Sequence, residues 1–368
     1  MSDQLKKIMI GCCAGFVILF IILAVLVGCQ NSSKSYDDIA ANMLKIGKRY
    51  FEKNEDELPT DDKDTNEYSL KQMISNGDMD EISEQMKDES VKCDGGVTVT
   101  NNNGYYLYTV SLDCGEAYST KTLADQIIDD NLVEEGHGLY EGTNEYYFRG
   151  SVINNWAEFN DEKWRIIGIN KEGNIQMVQT TTKNISAYDN HYNTTESMNG
   201  LNIYYQTDGR SSTIKENIDE YYAGEDFSDE AKAYMATQTL CYGKRSTEDT
   251  SRAGESECVE GQTLAGQPLG LLAGYEVIRA SIDTECSTIL NKACGNYNWA
   301  YQLQKTTWLL TASTTKTSKG YKLSSTGINE TTVNGTTSFL VTVTIDGKVN
   351  YTEGKGTEEE PYKIKIEK

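Results

Sequence analysis

Proline, histidine and positive charge are scarce in this chain. Only 3 of its 368 residues are Pro, which excludes a proline-rich stalk or a long polyproline linker. The two His, His137 and His191, leave no room for a multi-histidine metal centre and little for a histidine-driven triad. Lys and Arg number 34 against 56 Asp and Glu, a net charge of −22. That balance argues against nucleic acid as a partner, because phosphate contacts need basic stripes. It also predicts ligands that are neutral or cationic. The sequence contains no Gly-x-Ser-x-Gly elbow, phosphate loop or Cys-x-x-Cys pair, so the usual signs of acyl transfer, nucleotide binding and zinc ribbons are missing. The apolar share, 38%, is modest, yet 24 Tyr, 7 Phe and 4 Trp can fill a core. At roughly 150 residues per domain the length allows two to three domains.

What is abundant sits first at the N-terminus. Ile8 to Val27 carries no charge over 20 residues, and a helix of that length spans about 30 Å, enough for a bilayer. Lys6 and Lys7 precede the run, while Lys34 is followed by Asp37 and Asp38. The positive-inside rule then places the N-terminus in the cytoplasm and everything after Cys29 outside. Leu26-Val27-Gly28-Cys29 resembles a bacterial lipobox, which makes Cys29 a lipidation candidate. An uncleaved single-pass helix is the alternative, because secretory apolar regions usually run about 7–15 residues. Residues 1–29 are therefore expected to be a plasma-membrane anchor, a transmembrane helix or a lipoprotein signal. A prepilin is disfavoured, since Ile10 to Gly15 holds no acid.

Beyond the anchor six cysteines remain: Cys93, Cys114, Cys241, Cys258, Cys286 and Cys294. An even number in an exported region points to disulfides. Six cysteines can pair in 15 ways, and pairing of neighbours in sequence is favoured, because each neighbouring pair flanks one local unit.

Local patterns divide the rest. Ser35 with Asp38 forms a capping-box start, and Ile39, Met43, Ile46 and Tyr50 make one apolar stripe of a helix. Ser69 starts a shorter helix. Val97 and Val99, a turn at Asn101-Asn102-Asn103-Gly104 and the run Tyr105 to Leu112 predict a hairpin. Together these form a small membrane-proximal α+β domain over 36–118, with a pilin-like helix-plus-hairpin order. Residues 119–145 are expected to be a helix (Leu123 to Val133) and a glycine-containing linker. From 146 to 368 the pattern predicts a larger, mainly antiparallel β domain. Its strands are expected at Trp156 to Phe159, Lys163 to Ile169, Ile175 to Met177, Thr307 to Thr311, Tyr321 to Ser324 and Ser338 to Ile345. Short helices are expected near Ile214–Tyr222 and behind Ser228. The fold class is α+β.

The stretch Tyr146-Tyr147-Phe148-Arg149-Gly150, then Asn154-Asn155-Trp156, then Lys163-Trp164-Arg165-Ile166-Ile167-Gly168-Ile169-Asn170 carries a resemblance. So do Leu269-Gly270-Leu271-Leu272, Glu276, Arg279-Ala280-Ser281, Asn296-Tyr297-Asn298, the run Trp308 to Ser313, Gly354 to Glu358 and Pro361-Tyr362. In this order they are similar to the DUF6273-type surface domains of Gram-positive bacteria, over roughly residues 146–368. The chain departs at Gly335-Thr336-Thr337-Ser338-Phe339, where that family commonly has Gly-Val-Arg-Pro-Val. The resemblance implies a compact α+β domain displayed on the cell surface, related to C-type-lectin-like and formylglycine-generating-enzyme-like folds. It implies no established activity.

No catalytic residue, metal or cofactor is expected. Asp62-Lys63-Asp64-Thr65-Asn66 has the opening ligands of an EF-hand loop, but Glu67 and Met73 occupy the positions that need Gly and Glu. Tyr188, Tyr192, Tyr204 and Tyr205 fall in a polar stretch and are the candidate ligand-binding aromatics, suited to stacking on a glycan or anchoring a protein surface. The expected function is that of a non-catalytic, membrane-anchored binding or adhesion protein. A subunit of a pilus-like or envelope assembly is the alternative, and an extracellular enzyme comes third.

Overall fold

A computed structural model describes residues 33–182, 184–193, 198–206, 208–303 and 305–366. The apolar run 8–27, Cys12, Cys13 and Cys29 lie outside the described residues. Among the described residues no helix is long and apolar enough to cross a membrane. The described residues divide into two compact units, one of residues 33–56, 67–98 and 110–119, the other of residues 57–66, 99–109 and 120–366.

In the smaller unit the helix α1 (Tyr36–Lys53) starts as its local sequence dictates. Ser35 Oγ accepts from the Asp38 N–H, and the Asp38 carboxylate accepts from the Ser35 N–H, satisfying donors that a helix start leaves orphaned. Ile39, Met43, Ile46 and Phe51 are buried on one face. Gly47 lies so near the strand residue Val97 that a Cβ there would sit 2.4 Å from the valine Cβ; only glycine permits this approach. The strand β1 (Thr65–Ser69) and the helices α2 (Leu70–Ser75) and α3 (Ile82–Met86) follow. Ser69 and Gln72 form a second capping box. Strands β2 (Asp94–Asn102) and β3 (Tyr105–Asp113) complete a sheet in the order β1-β2-β3, of which residues 65–66, 99–102 and 105–109 belong to the larger unit. Asn103 and Gly104 take φ of 54° and 87° at the hairpin turn, the left-handed pair that Asn-Gly adopts readily. Cys93–Cys114 ties the open end of the hairpin.

The larger unit begins before the expected boundary at 146. Helix α4 (Leu123–Asn131) buries Leu123, Ala124 and Ile127 in the core, and residues 132–145 are no linker. The strand β4 (Gly138–Glu141) pairs antiparallel with β5 (Tyr146–Arg149), Leu139 facing Phe148, and Leu139 is fully buried. Glycine content suggested a linker because the strand is only four residues long and its partner is further along the chain. Strands β6 (Trp156–Phe159), β7 (Glu162–Ile169) and β8 (Ile175–Gln179) follow in antiparallel succession. Helices α5 (Thr213–Ala223) and α6 (Asp229–Ala233) are capped by Ser212 and Ser228. The later elements are β9 (Gln238–Cys241), β10 (Thr263–Gln267), β11 (Leu269–Leu271), α7 (Gly274–Arg279), β12 (Thr307–Ser313), β13 (Lys319–Ser324), β14 (Gly327–Thr332) and β15 (Val341–Ile345).

Among the described residues the main sheet runs Met235–Ala236, β15, β8, β7, β5, β4, with β11 also on β15 and β6 on β7. A second sheet runs β14, β13, β12, Thr337–Ser338, Ile185–Ser186. The single strand expected over Ser338 to Ile345 is therefore two. Thr337–Ser338 belongs to the second sheet and β15 to the first, with Phe339 and Leu340 buried between them. Burial on every side leaves no alternation in the sequence to mark that break. Trp164, Trp299 and Trp308 are fully buried, and each indole N–H donates to a carbonyl, of Phe159, Phe148 and Ser186 respectively, at 3.0 to 3.1 Å. The architecture is α+β with mostly antiparallel sheets. The bonds Cys241–Cys258 and Cys286–Cys294 pair cysteines that neighbour in sequence, as Cys93–Cys114 does.

Candidate functional site

The four tyrosines of the 188–205 stretch have three different fates. Tyr188 and Tyr204 are fully buried. Tyr188 packs edge-on to Trp308 at 5.6 Å and donates to the Leu310 carbonyl at 3.0 Å. Both rings belong to the core, so neither can stack on a ligand; burial holds both phenols well above their usual range. The polar composition around them suggested exposure because the apolar neighbours come from distant strands. Tyr192 is 65% exposed. Tyr205 is half-buried and lines a cavity of about 310 Å³ with Asn202, Ile203, Gln206, Tyr242, Lys244, Gly261 and Gln262.

One wall of this cleft is a tight hairpin. Tyr205 bridges to Ser211, the Gln206 N–H donates to the Arg210 carbonyl at 2.8 Å, and the Gly209 N–H donates back to Gln206. The opposite wall is the loop closed by Cys241–Cys258. The Tyr242 N–H donates to the Gln262 carbonyl at 3.0 Å, and its hydroxyl donates to the Gly261 carbonyl at 3.2 Å. Burial, with Tyr205 beside it, raises the Tyr242 phenol. Gly243 passes so close to the Ser256 and Glu257 carbonyls, 2.6 to 2.7 Å from a notional Cβ, that any side chain there would part the wall.

Beneath that loop lies a buried ion pair. Arg245 and Glu257 are both fully buried, with Arg245 Nη1 3.2 and 3.1 Å from the two carboxylate oxygens of Glu257. Arg245 Nη2 also donates to the Asp249 carbonyl at 3.3 Å and to the Ser251 carbonyl. Thr311 Oγ1 donates to Glu257 at 3.3 Å, which joins the loop to β12. Burial drives the Glu257 carboxyl upward, and Arg245 opposes it.

At the cleft's base the Asn202 amide nitrogen reaches the carbonyls of Ser313, Lys316 and Lys319 at 2.7, 2.9 and 2.6 Å. Its Oδ1 and the Tyr204 hydroxyl are buried and have no hydrogen-bond partner among the described residues. A buried acceptor without a donor carries a desolvation cost until a hydroxyl or amide meets it. The lining thus offers two aromatic rings, three primary amides and the Lys244 ammonium. It can stack and hydrogen-bond, and its described lining residues include no carboxylate, imidazole or thiol.

Both histidines are tied to local structure. His137 Nδ1 accepts from the Ser151 and Val152 N–H groups at 3.0 and 3.3 Å. His191 lies 2.8 Å from Asp189 and 3.4 Å from Glu216. In the EF-hand-like stretch, Asp62 accepts from the Asn103 N–H at 2.8 Å. Among the described residues no group of three or more His, Cys, Asp or Glu is placed to hold a metal ion.

Tyr242, Lys244 and Gln262 had no sequence signal, because the disulfide loop that carries the first two, and the segment after it that carries Gln262, reach Tyr205 only in the folded chain. In comparisons with protein-family profiles, curated proteins and solved structures, none matches this chain.

Proposed function

We propose that the chain is a non-catalytic, membrane-anchored cell-surface binding protein of the DUF6273 type, and that the Tyr205–Tyr242 cleft takes a neutral saccharide. The observation that carries this reading is the lining itself. Aromatic faces stack on the apolar side of a sugar ring, and primary amides meet its hydroxyls from either donor or acceptor atoms. Asn202, which lines the cleft, holds a buried Oδ1 without a partner among the described residues. A panel of neutral oligosaccharides, titrated calorimetrically into full-length protein in detergent, tests it. Tyr205→Ala should weaken the best binder roughly tenfold, about 1.4 kcal/mol, with the melting temperature nearly unchanged. Equal affinity in wild type and variant would refute the assignment, and turnover of a saccharide would replace a binding protein with an enzyme. If no saccharide binds while an envelope protein co-purifies stoichiometrically, the assembly-subunit reading takes its place.

The ectodomain is held at the plasma membrane by residues 8–27 or by a lipid on Cys29, with the ectodomain outside. Metabolic fatty-acid labelling separates the two. Label that disappears in Cys29→Ala, together with accumulation of an uncleaved precursor, marks a lipoprotein; an unlabelled wild type of full precursor mass marks a single-pass helix.

A further inference from the structure

Three arginines converge on a cavity of about 490 Å³ in the larger unit. Arg149 ends β5, Arg279 ends α7, and Arg252 comes from the loop closed by Cys241–Cys258. Arg149 donates to the Ser281 carbonyl from Nε and Nη2 at 3.2 and 2.8 Å. Arg252 Nη2 donates to the same oxygen at 3.1 Å and to the Ile278 carbonyl at 3.0 Å. Two guanidinium groups therefore share one carbonyl oxygen, and among the described residues neither has a carboxylate partner. Burial and the neighbouring Arg149 charge both lower the Arg252 guanidinium from its usual range. Arg279 is buried between the rings of Tyr147 and Tyr275, 4.8 and 5.2 Å from their centroids. It pairs with Glu145 at 2.8 Å.

Among the described residues Glu145 is the one carboxylate lining the cavity, against three arginines, so the described lining carries +2 within a chain of −22. With 56 acidic residues in the sequence, two adjacent arginines without one are conspicuous, since like charges held together and partly dehydrated destabilise each other. Arg149 Nη1, Arg252 Nε and Nη1 and Arg279 Nε and Nη2 remain without a protein acceptor among the described residues. The cavity is larger than a bare ion requires, and Tyr147 and Thr143 also line it.

We propose that this cavity binds a multi-oxygen anion, a carboxylate or a phosphoryl group, carried on a ligand of about the size of a sugar or an amino acid. The planar guanidinium forks match either anion with paired hydrogen bonds, and the tyrosine faces the ligand's uncharged part. The overall negative charge thus predicts ligand character for the surface at large and not for this cavity, where local geometry outweighs it.

The test is calorimetry on the full-length protein with glucuronate, glucose 1-phosphate and uncharged glucose as probes. In the Tyr205→Ala background, which silences the saccharide cleft, one or both anions should bind with Kd at or below about 1 mM, and glucose should not. Which anion binds more tightly distinguishes carboxylate from phosphoryl recognition. Arg252→Gln should weaken anion binding at least tenfold without moving the melting temperature, and raising salt should weaken the wild type. Tyr205→Ala should leave anion binding unchanged, which separates this site from the saccharide cleft. The proposal fails if neither anion binds, if glucose binds the Tyr205→Ala variant as well as they do, or if Arg252→Gln folds and binds the anions normally. Should Arg252→Gln not fold, thermal protection of the wild type by the anions decides: protection lost in high salt supports the site, and none at low salt overturns it.

Discussion

Glu257→Ala is expected to destabilise the larger unit by about 3–5 kcal/mol. The substitution leaves the Arg245 guanidinium fully buried with only the Asp249 carboxylate, 3.7 Å away, to offset its charge. Arg245 cannot relieve the loss by releasing its proton, because an arginine stays charged. Nor can it turn to water, since it already donates to the Asp249 and Ser251 carbonyls within the disulfide loop. Replacing both partners by apolar residues, Arg245→Met with Glu257→Leu, should cost far less, because no uncompensated charge remains. Chemical denaturation of the two variants measures the contrast. A loss below about 1 kcal/mol for Glu257→Ala would show that the pair is solvated in practice. The pair braces the wall carrying Tyr242 and Lys244, so Glu257→Ala should also weaken saccharide binding, through a wall that moves.

Stability is expected to fall as pH rises from about 4.5 to about 7, by up to about 3 kcal/mol attributable to Glu276 alone. Burial pushes its carboxyl up to about 7, with Arg279 and the Ala273 N–H pulling the other way and Glu145 and Glu257 adding to the rise. The folded chain therefore holds the proton over an interval in which the unfolded chain has released it. Protons bound only in the folded state make unfolding easier as pH rises, and the effect is complete above the folded pKa. The Glu276 carboxylate accepts from the Ala273 N–H at 2.7 Å at the start of α7, and a Gln side chain can still accept that bond. Glu276→Gln should remove this slope and leave the contributions of other groups in place. The difference between wild-type and variant unfolding free energies, measured from pH 4.5 to 8, isolates it. Parallel curves would place the carboxyl's true pKa near that of the unfolded chain.

The features legible in the sequence are those decided within a few residues. Ser35 with Asp38 and Ser69 with Gln72 cap helices through bonds spanning three positions, and Asn103-Gly104 turns the hairpin through its own dihedrals. The disulfides follow neighbours in sequence because each short loop brings its ends together at small entropic cost. Trp164 and Trp308 lie in strands with the indole buried and its N–H bonded to a carbonyl, as an indole in a core requires.

Sequence by itself thus determined the α+β class, most helix starts, the hairpin turn and the three cysteine pairs. Tertiary structure alone decided that Tyr188 and Tyr204 are core while Tyr205 lines a cleft, although all three share one polar stretch. It also decided that residues 138–141 form a strand, since a four-residue strand takes its identity from its partner. The convergence of Arg149, Arg252 and Arg279, more than a hundred positions apart at the extremes, had no local trace. Dihedral preference and capping act along the chain, whereas burial and charge pairing depend on which distant segments come together. Only the folded chain brings those segments into contact.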